Sequence, residues 1–297
     1  MKLMDKIAST KDKTKKYIFQ TEDKLIIEVA YIDKNDGKNI ICVPSQTSCA
    51  MKCRFCHLAD ISDKLVNRNL SAEEIKEGVD YIYNDLSLKN TDRILLISYM
   101  GCGEPLLNYR NVVQSMTLIR DTYHEKVPLI RFAIATSLPK NAWFNFFEMT
   151  REISKNNLLV KVHLSLHYTN EETRKEWMPL SLAIKTSISA LEFYKLFTGN
   201  SVEIHYALID GVNDTENDAE ILANLLRGRN IPVKFLFYNE KDTIDFHASP
   251  TEKLKIFGKH LDSCGITHEY YIPPGLDIGA SYGQFLMDYY LKYNTKI

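Results

Sequence analysis

The feature that most constrains the fold of this chain is a regular alternation of short apolar runs with longer segments of helical periodicity. Six strand-like runs are separated by helical patterns and occupy residues 40–43, 94–99, 129–135, 159–166, 202–209 and 233–237. Strands that alternate with helices pair in parallel, because each helix carries the chain back to the same end of the sheet. The pattern predicts an α/β fold, a partial parallel (β/α)6 barrel.

Segments at the two ends of the chain predict additions to this barrel. Residues 16–20 and 25–32 have extended patterns on either side of the turn-like pair Glu22 and Asp23, which indicates a small N-terminal β-hairpin. The sequence has no internal repeat and no Pro/Gly-rich linker, so one domain is expected. We predict an N-terminal extension with the hairpin (residues 1–38), the barrel (39–264) and a C-terminal cap of the same domain (265–297).

Helix-capping signals support the predicted order of elements. Glu74 follows Ser71 at the spacing of a capping box, ahead of apolar residues at helical intervals. A later helix is expected to begin at Asp214 or Thr215 and to end at Gly228.

Composition and charge limit the classes of function. The 297 residues include 37 Lys and Arg against 38 Asp and Glu, a net charge of −1, whereas proteins that neutralise many phosphates carry a basic surplus. Residues 1–16 lack the apolar core of a secretion signal, and the apolar runs are too short to cross a bilayer. We therefore expect a cytoplasmic protein with no membrane contact, for which RNA binding is disfavoured.

Three of the six cysteines share one loop, directly after the first predicted barrel strand. Cys49, Cys53 and Cys56 have the spacing C-x3-C-x2-C, and loops at this end of parallel strands form the active sites of barrel enzymes. In a reducing compartment this spacing indicates a metal site. Three thiolates suit a [4Fe–4S] cluster with one open iron. The alternative is a zinc site completed by His57, which the adjacency of His57 and Cys56 disfavours.

A second loop, after the next predicted strand, has residues suited to binding an amine. It reads Gly-Cys-Gly-Glu-Pro-Leu-Leu-Asn over residues 101–108. Gly101 and Gly103 allow the backbone to approach a ligand, and the Glu104 carboxylate can accept hydrogen bonds from an ammonium group. No Gly-Lys-Ser/Thr follows, so the loop is not a nucleotide P-loop. A simple strand-ending turn is the alternative interpretation.

Together the two loops resemble those of the radical S-adenosylmethionine (SAM) superfamily, which implies a barrel of the radical SAM type. The chain also resembles the RlmN/Cfr family of adenosine-C2/C8 RNA methyltransferases from about residue 16 to residue 285, in segments 42–49, 101–108, 165–167, 208–214 and 277–284. This resemblance implies one [4Fe–4S] cluster on Cys49, Cys53 and Cys56. It also implies SAM on the open iron, cleaved reductively to methionine and a 5′-deoxyadenosyl radical.

The family resemblance assigns further residues to the cofactor and the substrate. The residues that it places against SAM are Gly103, Glu104, Ser165, Leu166, His167 and Asn239. Glu28 occupies the position of a catalytic glutamate, and Cys42 that of a cysteine that resolves a covalent RNA adduct. Ser165 and His167 lie two residues apart on a predicted strand and would share one face, as a pocket requires. The alternatives are a core role for His167 and an exposed strand position for Glu28.

The chain departs from that family at the position that carries the methyl group. The family's Ala-Ala-Cys-Gly-Gln, whose cysteine takes a methyl group from SAM, is Ala-Ser-Tyr-Gly-Gln here, with Tyr282 at the cysteine position. A phenol offers no sulfur and has an ordinary pKa of about 10, against about 8.5 for a thiol. The methyl shuttle is therefore not expected. Tyr282 is expected to face the substrate as a hydrogen-bonding or radical-relaying group, or as a plug.

Three further departures also set this chain apart from the RNA methyltransferases. The family's Arg-x-x-Arg is Tyr-Ile-Pro-Pro at residues 271–274, and Ala135 stands at the position of a family serine. We also expect this chain to lack the RNA-binding domain that the family carries ahead of the hairpin. Since two cations that can pair with phosphate are replaced, we expect a substrate other than folded ribosomal RNA.

These observations lead to three hypotheses. The first is a radical SAM enzyme that abstracts hydrogen directly from a small-molecule, nucleotide or peptide substrate, with a reducing partner such as flavodoxin or ferredoxin. The second is an rRNA or tRNA adenine methyltransferase that uses another methyl acceptor, such as Cys102. The third is a zinc-bound interaction module. Under the first hypothesis, Cys102 and Cys264 are interpreted as structural.

Overall fold

Ten strands form a single sheet within residues 1–89, 91–281 and 283–286, which are the residues that the computed structural model describes. Their order across the sheet is their order along the chain. The strands are β1 (Lys2–Ala8), β2 (Lys15–Gln20), β3 (Ile26–Ile32), β4 (Lys38–Cys42), β5 (Ile94–Tyr99), β6 (Ile130–Thr136), β7 (Val160–Ser165), β8 (Val202–Leu208), β9 (Val233–Phe237) and β10 (His268–Tyr271). The predictions for Tyr282 and for residues 287–297 lie outside the described residues.

The predicted partial barrel is confirmed. Strands β4 to β9 correspond to the six predicted strands, and each pairs in parallel with the next. β5 and β9 have the predicted bounds, and the other four differ by one or two residues at an end. A further parallel strand, β10, pairs with β9. The sequence does not predict it, because its residues His-Glu-Tyr-Tyr form no apolar run and are exposed or half-buried.

The N-terminal strands extend the same sheet in antiparallel fashion. β2 and β3 form the predicted hairpin, and β3 pairs with β4. β1 pairs with β2 and is not predicted. Its seven residues alternate between exposed and half-buried, a period-two pattern that the lysines of this segment obscure. Through β3, the hairpin is hydrogen-bonded to β4, the first strand of the barrel.

Seven α-helices lie in the described ranges, and most of them connect successive parallel strands. They are α1 (Ala72–Asp85), α2 (Tyr109–Tyr123), α3 (Trp143–Lys155), α4 (Glu171–Trp177), α5 (Ile184–Thr198), α6 (Glu216–Leu226) and α7 (Thr251–Ser263). The capping box of Ser71 and Glu74 is formed. Thr215, rather than Asp214, caps α6 and forms a second box with Asp218. None of the helices in the described ranges is long and apolar enough to cross a bilayer.

The two faces of the parallel strands carry different side chains, and this difference determines where a ligand can bind. One face is apolar and packs against the helices in a single large core, to which Ile97 of β5 and Leu191 of α5 belong. The other face carries polar side chains, including Cys42, His163 and His205, and lines a cavity inside the barrel. The helices therefore cover the outer face, and the inner face is left for ligands.

Residues 275–281 and 283–286 are hydrogen-bonded to the N-terminal part of the chain. Asp277 accepts hydrogen bonds from the Ser9 hydroxyl at 2.7 Å and from the Thr10 amide at 2.9 Å. The Leu286 amide donates to Glu28 on β3 at 2.8 Å. The described part of the predicted C-terminal cap is thus fixed to the N-terminal strands and to the turn that joins β1 and β2.

The packing of α5 generates a stability prediction. Leu191 is fully buried and Leu196, on the same helix, is 85% exposed. We expect Leu191→Ala to lower the free energy of unfolding by about 2–5 kcal/mol, since it removes apolar contacts and leaves a cavity. Leu196→Ala is the matched control and should change it by no more than about 0.5 kcal/mol. Urea titrations followed by circular dichroism measure both; equal losses in the two variants would contradict the assigned helix faces.

Candidate active site

A pocket at the carboxyl ends of β4 to β7 gathers most of the predicted cofactor residues. We call it the cysteine pocket; six predicted residues line it, namely Cys49, Cys53, Cys56, Gly103, Glu104 and Ser165. The apolar side chains of Phe55, Leu58 and Met178 complete much of its wall. Parallel pairing brings these loops to one edge of the sheet, as predicted. Leu166, His167 and Asn239 are not among the pocket's described lining residues.

The three cysteines present a donor set suited to an iron–sulfur cluster. Desolvation raises the pKa of Cys49 to about 12 and also raises the pKa values of Cys53 and Cys56, and a bound metal would oppose these shifts by stabilising the thiolates. Thiolates are soft ligands that suit an iron–sulfur cluster, and three of them leave one iron of a [4Fe–4S] cluster open to an outside ligand.

His57 does not complete a zinc site with these cysteines. Its Nε2 atom lies 3.3 Å from the Asn239 carbonyl oxygen, on the loop after β9. Its backbone amide donates to the Gly283 carbonyl at 3.0 Å. His57 therefore links the cysteine loop to two neighbouring segments of the chain.

Glu104 is held in a fixed position by four hydrogen-bond donors. Its Oε1 atom accepts from the Thr136 hydroxyl at 2.7 Å and from the Leu106 amide at 3.1 Å. Its Oε2 atom accepts from the Ser137 amide and hydroxyl, each at 3.0 Å. Burial raises the pKa of the carboxyl group, and these donors oppose that shift. The arrangement is a preorganised acceptor for a cationic ligand group.

Thr136 and Ser137, which position Glu104, were not assigned from the sequence. They follow Ala135, where a family serine is replaced, and all three residues line the cysteine pocket. A signal was present in the sequence, since two hydroxyl residues follow a predicted barrel strand directly. Their partner could not be inferred, because it depends on how the ends of β5 and β6 meet.

Gly101 and Gly103 allow the two predicted loops to approach each other closely. Gly103 has a φ of +98°, and a Cβ atom there would lie 2.7 Å from both Gln46 Cβ and Ser45 Oγ. A Cβ atom at Gly101 would lie 2.9 Å from the Val43 carbonyl oxygen. The glycines thus let the Gly-Cys-Gly-Glu loop pack against the chain that leads from β4 to the cysteines.

The end of β7 differs from the sequence prediction. β7 ends at Ser165, and His167 has a φ of +56°, so Ser165 and His167 do not share a strand face. The prediction failed because the strand pattern does not show where the backbone turns. The His167 Nδ1 atom accepts the Ala207 amide at 3.0 Å, and Phe55 packs edge-on against the ring. His167 thus supports the cysteine loop from the core side.

Glu28 and Cys42 are buried outside the cysteine pocket. Glu28 has no exposed surface, and its Oε1 atom lies 3.6 Å from Lys16 Nζ. It therefore does not occupy an exposed strand position. Cys42 lines the cavity inside the barrel, where burial raises its pKa to about 12. We call this space the barrel cavity; it has a volume of about 870 Å³, and it shares the lining residues Met100 and Phe285 with the cysteine pocket.

Lys241 is a further residue that the sequence analysis missed. Its buried ammonium group donates to the carbonyl oxygens of Arg54 and Cys56 at 3.0 and 3.2 Å, and to Asp60 at 2.8 Å. It therefore binds the backbone of the cysteine loop from the loop that follows β9. Nothing in the sequence distinguishes this lysine from the many exposed ones.

Arg174, on α4, is the second buried cation beside the cysteine loop. Its guanidinium group donates to the carbonyl oxygens of Ser165, at 3.1 Å, of Leu166, and of Ser137, at 3.3 Å. It thereby joins the ends of β6 and β7. Burial lowers its pKa to about 10, and the nearby Cys53 opposes that shift, so the group stays cationic at neutral pH.

Comparisons with known proteins agree with this geometry. The model of the radical SAM superfamily matches residues 43–222. A probable dual-specificity RNA methyltransferase RlmN from Caldanaerobacter subterraneus is 34% identical over 97% of this chain and 80% of its own length. Its counterpart from Clostridium perfringens is 31% identical over 99% and 81%. The crystal structure of a radical SAM methyltransferase from Sphaerobacter thermophilus superposes with a TM-score of 0.82 at 28% identity, over 96% of this chain and 80% of that one.

The Lys241 contacts predict a role in retaining the metal. Lys241→Met removes the donor to two loop carbonyls, so iron bound by the three cysteines should be lost to a chelator about tenfold faster, as expected when a group supporting metal ligands is removed. Lys253→Met is the control, because Lys253 is exposed and pairs with Asp210 and Asp214 elsewhere. Bleaching of the visible absorbance under anaerobic chelation measures the rate. An unchanged rate in Lys241→Met would rule out the supporting role.

Proposed function

Because this chain belongs to the radical SAM superfamily and to its RlmN-like family, we propose that it abstracts hydrogen directly from a substrate other than ribosomal RNA, without a methyl-carrying cysteine. Its cofactors are a [4Fe–4S] cluster and SAM. When bound, they supply a 5′-deoxyadenosyl radical through one-electron cleavage of SAM. The observation that carries the proposal is Tyr282 at the position of the family's methyl-carrying cysteine.

The chain's own residues would bind and orient these cofactors. Cys49, Cys53 and Cys56 would hold the cluster, and Glu104 would accept hydrogen bonds from the SAM ammonium group. Gly103 and Ser165, which line the cysteine pocket, are proposed as further SAM contacts. Leu166, His167 and Asn239 do not line it, so their assignment to SAM rests on the family resemblance alone. The apolar wall of Phe55, Leu58 and Met178 would exclude water from the pocket. Exclusion of water protects a reactive intermediate from side reactions.

The environment of Cys102 speaks against a substitute methyl acceptor. Cys102 is 1% exposed and packs among the buried side chains of Leu58, Ile61 and Leu286. Burial raises its pKa well above the ordinary value, so the thiol is both inaccessible and un-ionised. The names of the relatives give RNA methylation as an alternative function, and its route through Cys102 as methyl acceptor is therefore less favoured.

The barrel cavity supports a substrate smaller than folded RNA. Its volume of about 870 Å³ lies within the range of pockets for small ligands. Tyr271, Pro273 and Pro274, which stand where the family has Arg-x-x-Arg, line its wall. A small molecule, a nucleotide or a short peptide fits this description. The electron would come from a reducing partner such as flavodoxin or ferredoxin.

The proposed cofactor chemistry is tested by product analysis. Anaerobically reconstituted protein with dithionite and SAM should release 5′-deoxyadenosine, detected by chromatography and mass spectrometry. Cys53→Ala should release none above background, since one cluster ligand is missing. Cys264→Ala, which removes a cysteine remote from the pocket, is the matched control and should retain full release. Release that persists in Cys53→Ala would sink the assignment of the cluster.

Transfer of labelled methyl groups tests the absence of the shuttle. With methyl-labelled SAM and bulk ribosomal or transfer RNA, we expect this protein to put no label into adenosine. The Clostridium perfringens relative is the control enzyme and should label RNA under the same conditions. The Tyr282→Cys variant should gain a mass of one methyl group on SAM addition, because it restores the missing sulfur. Labelled adenosine made by the unaltered chain and lost in Cys102→Ala would instead establish the methyltransferase function.

The contacts of Glu104 predict its effect on SAM affinity. Glu104→Gln replaces a charged acceptor by a neutral one, and a hydrogen bond to a charged group is worth about 1.5–3 kcal/mol, or roughly 10- to 150-fold in the dissociation constant. Glu148→Gln, on an exposed face of α3, is the control. Anaerobic isothermal titration calorimetry with SAM measures both variants, and unchanged affinity in Glu104→Gln would contradict the assigned role.

A further inference from the structure

Three side chains with metal-binding donors meet on the inner face of the barrel. His163 lies on β7, and Glu203 and His205 lie on β8, where parallel pairing places Glu203 directly beside His163. All three are buried, with at most 4% of their surface exposed. Both histidines line the barrel cavity. The group lies below the cysteine pocket, toward the middle of the strands, and the proposed SAM chemistry does not use it.

The separations between the donor atoms match those around a single ion. His163 Nδ1 lies 3.2 Å from Glu203 Oε1, and His205 Nε2 lies 3.7 Å from the same oxygen. Tetrahedral zinc, with ligands at about 2.0–2.1 Å, spaces its ligands by about 3.3 Å. Two imidazoles and one carboxylate form a known ligand set for zinc with an open position. The cavity beside the two histidines gives such a position room for water or a substrate oxygen.

His205 supplies an independent sign of a missing ligand. Neither of its ring nitrogens has a hydrogen-bond partner among the described residues, although the side chain is buried. An unsatisfied buried polar group costs about 1–3 kcal/mol, so native structures rarely retain one without a purpose. A metal ion bound at Nε2 would satisfy one of the two nitrogens.

We propose that His163, Glu203 and His205 bind a divalent transition-metal ion, zinc in particular, on the inner wall of the barrel cavity. The site is distinct from the cluster and does not depend on the proposed reaction. It gives the cavity a Lewis acid that can bind an oxygen or nitrogen of a ligand.

Two lysines contact the Glu203 carboxylate, and a metal ion bound there would have to compete with one of them. Lys234 Nζ lies 2.9 Å from Glu203 Oε1, the oxygen shared by both histidines, and 2.7 Å from Glu269. Lys161 pairs with the other oxygen, Oε2. Lys234 can therefore leave Oε1 and keep Glu269 as its partner, while Lys161 stays in place. The ammonium group of Lys234 thus competes with the metal for the Glu203 Oε1 atom. Substitutions should therefore be able to raise the zinc affinity as well as lower it.

Zinc content of the cluster-loaded protein tests the proposal, because iron then occupies the three cysteines. After anaerobic dialysis against micromolar zinc, elemental analysis should find one zinc per chain in addition to the cluster iron. His205→Ala and Glu203→Gln should each weaken zinc binding by at least about tenfold. Lys234→Met should strengthen it, because it removes the competing cation. His260→Ala, which removes a histidine paired with Glu220 at the surface, is the control.

The Lys234→Met variant tests the proposal even if a ligand variant folds poorly. Its zinc affinity should rise, and misfolding cannot raise zinc affinity. X-ray absorption at the zinc edge should show nitrogen and oxygen ligands only. Zinc that is absent from the unaltered protein, retained in His205→Ala or bound through sulfur would overturn the proposal. Release of 5′-deoxyadenosine is measured on the same samples, so failure of the zinc site and failure of the proposed function are distinguished.

Discussion

The parallel pairing of β4 to β9 is the constraint on which the rest of this molecule depends. Because all six of these strands run in the same direction, their carboxyl ends meet at one edge of the sheet, and the loops that follow them converge there. The three cysteines, Glu104 with its hydroxyl partners and Ser165 come from loops far apart in sequence. The same pairing leaves the inner face free of helices. The cysteine pocket and the barrel cavity are thus two results of one backbone arrangement.

Charge is the second organising factor at this edge. A thiolate-bound cluster and the carboxylate of Glu104 place negative charge in a pocket with apolar walls, where unbalanced charge is costly. Lys241 and Arg174 lie buried beside the cysteine loop and bind backbone carbonyl oxygens. Lys241 is also paired with Asp60 at 2.8 Å, so Arg174 is the more available of the two cations to offset the buried negative charge. The Glu104 carboxylate is thereby left for a cationic ligand.

Local pattern was sufficient to predict the barrel strands, since β5 and β9 are short, mostly apolar runs bounded by polar segments. The cysteine spacing and the Gly-Cys-Gly-Glu loop likewise located the pocket. Cross-strand relations were not predictable, because they depend on register and on local backbone turns. His163, Glu203 and His205 look unrelated in sequence and meet only through the pairing of β7 with β8. The turn at His167 and the contact of Lys241 with the cysteine loop could not be predicted for the same reason.

The contacts of Asp277, Gly283 and Leu286 bear on how the pocket forms. The Gly283 carbonyl accepts the His57 amide beside the cysteines, Leu286 donates to Glu28 on β3, and Asp277 accepts from the turn between β1 and β2, across sequence separations of more than 220 residues. Contacts of such separation form late, because the entropy of closing a long loop must be overcome first. In a chain made from its N-terminus, these contacts cannot cover the cysteine loop until Gly283 and Leu286 have been made. Closure of the pocket therefore depends on a segment that is made long after the three cysteines.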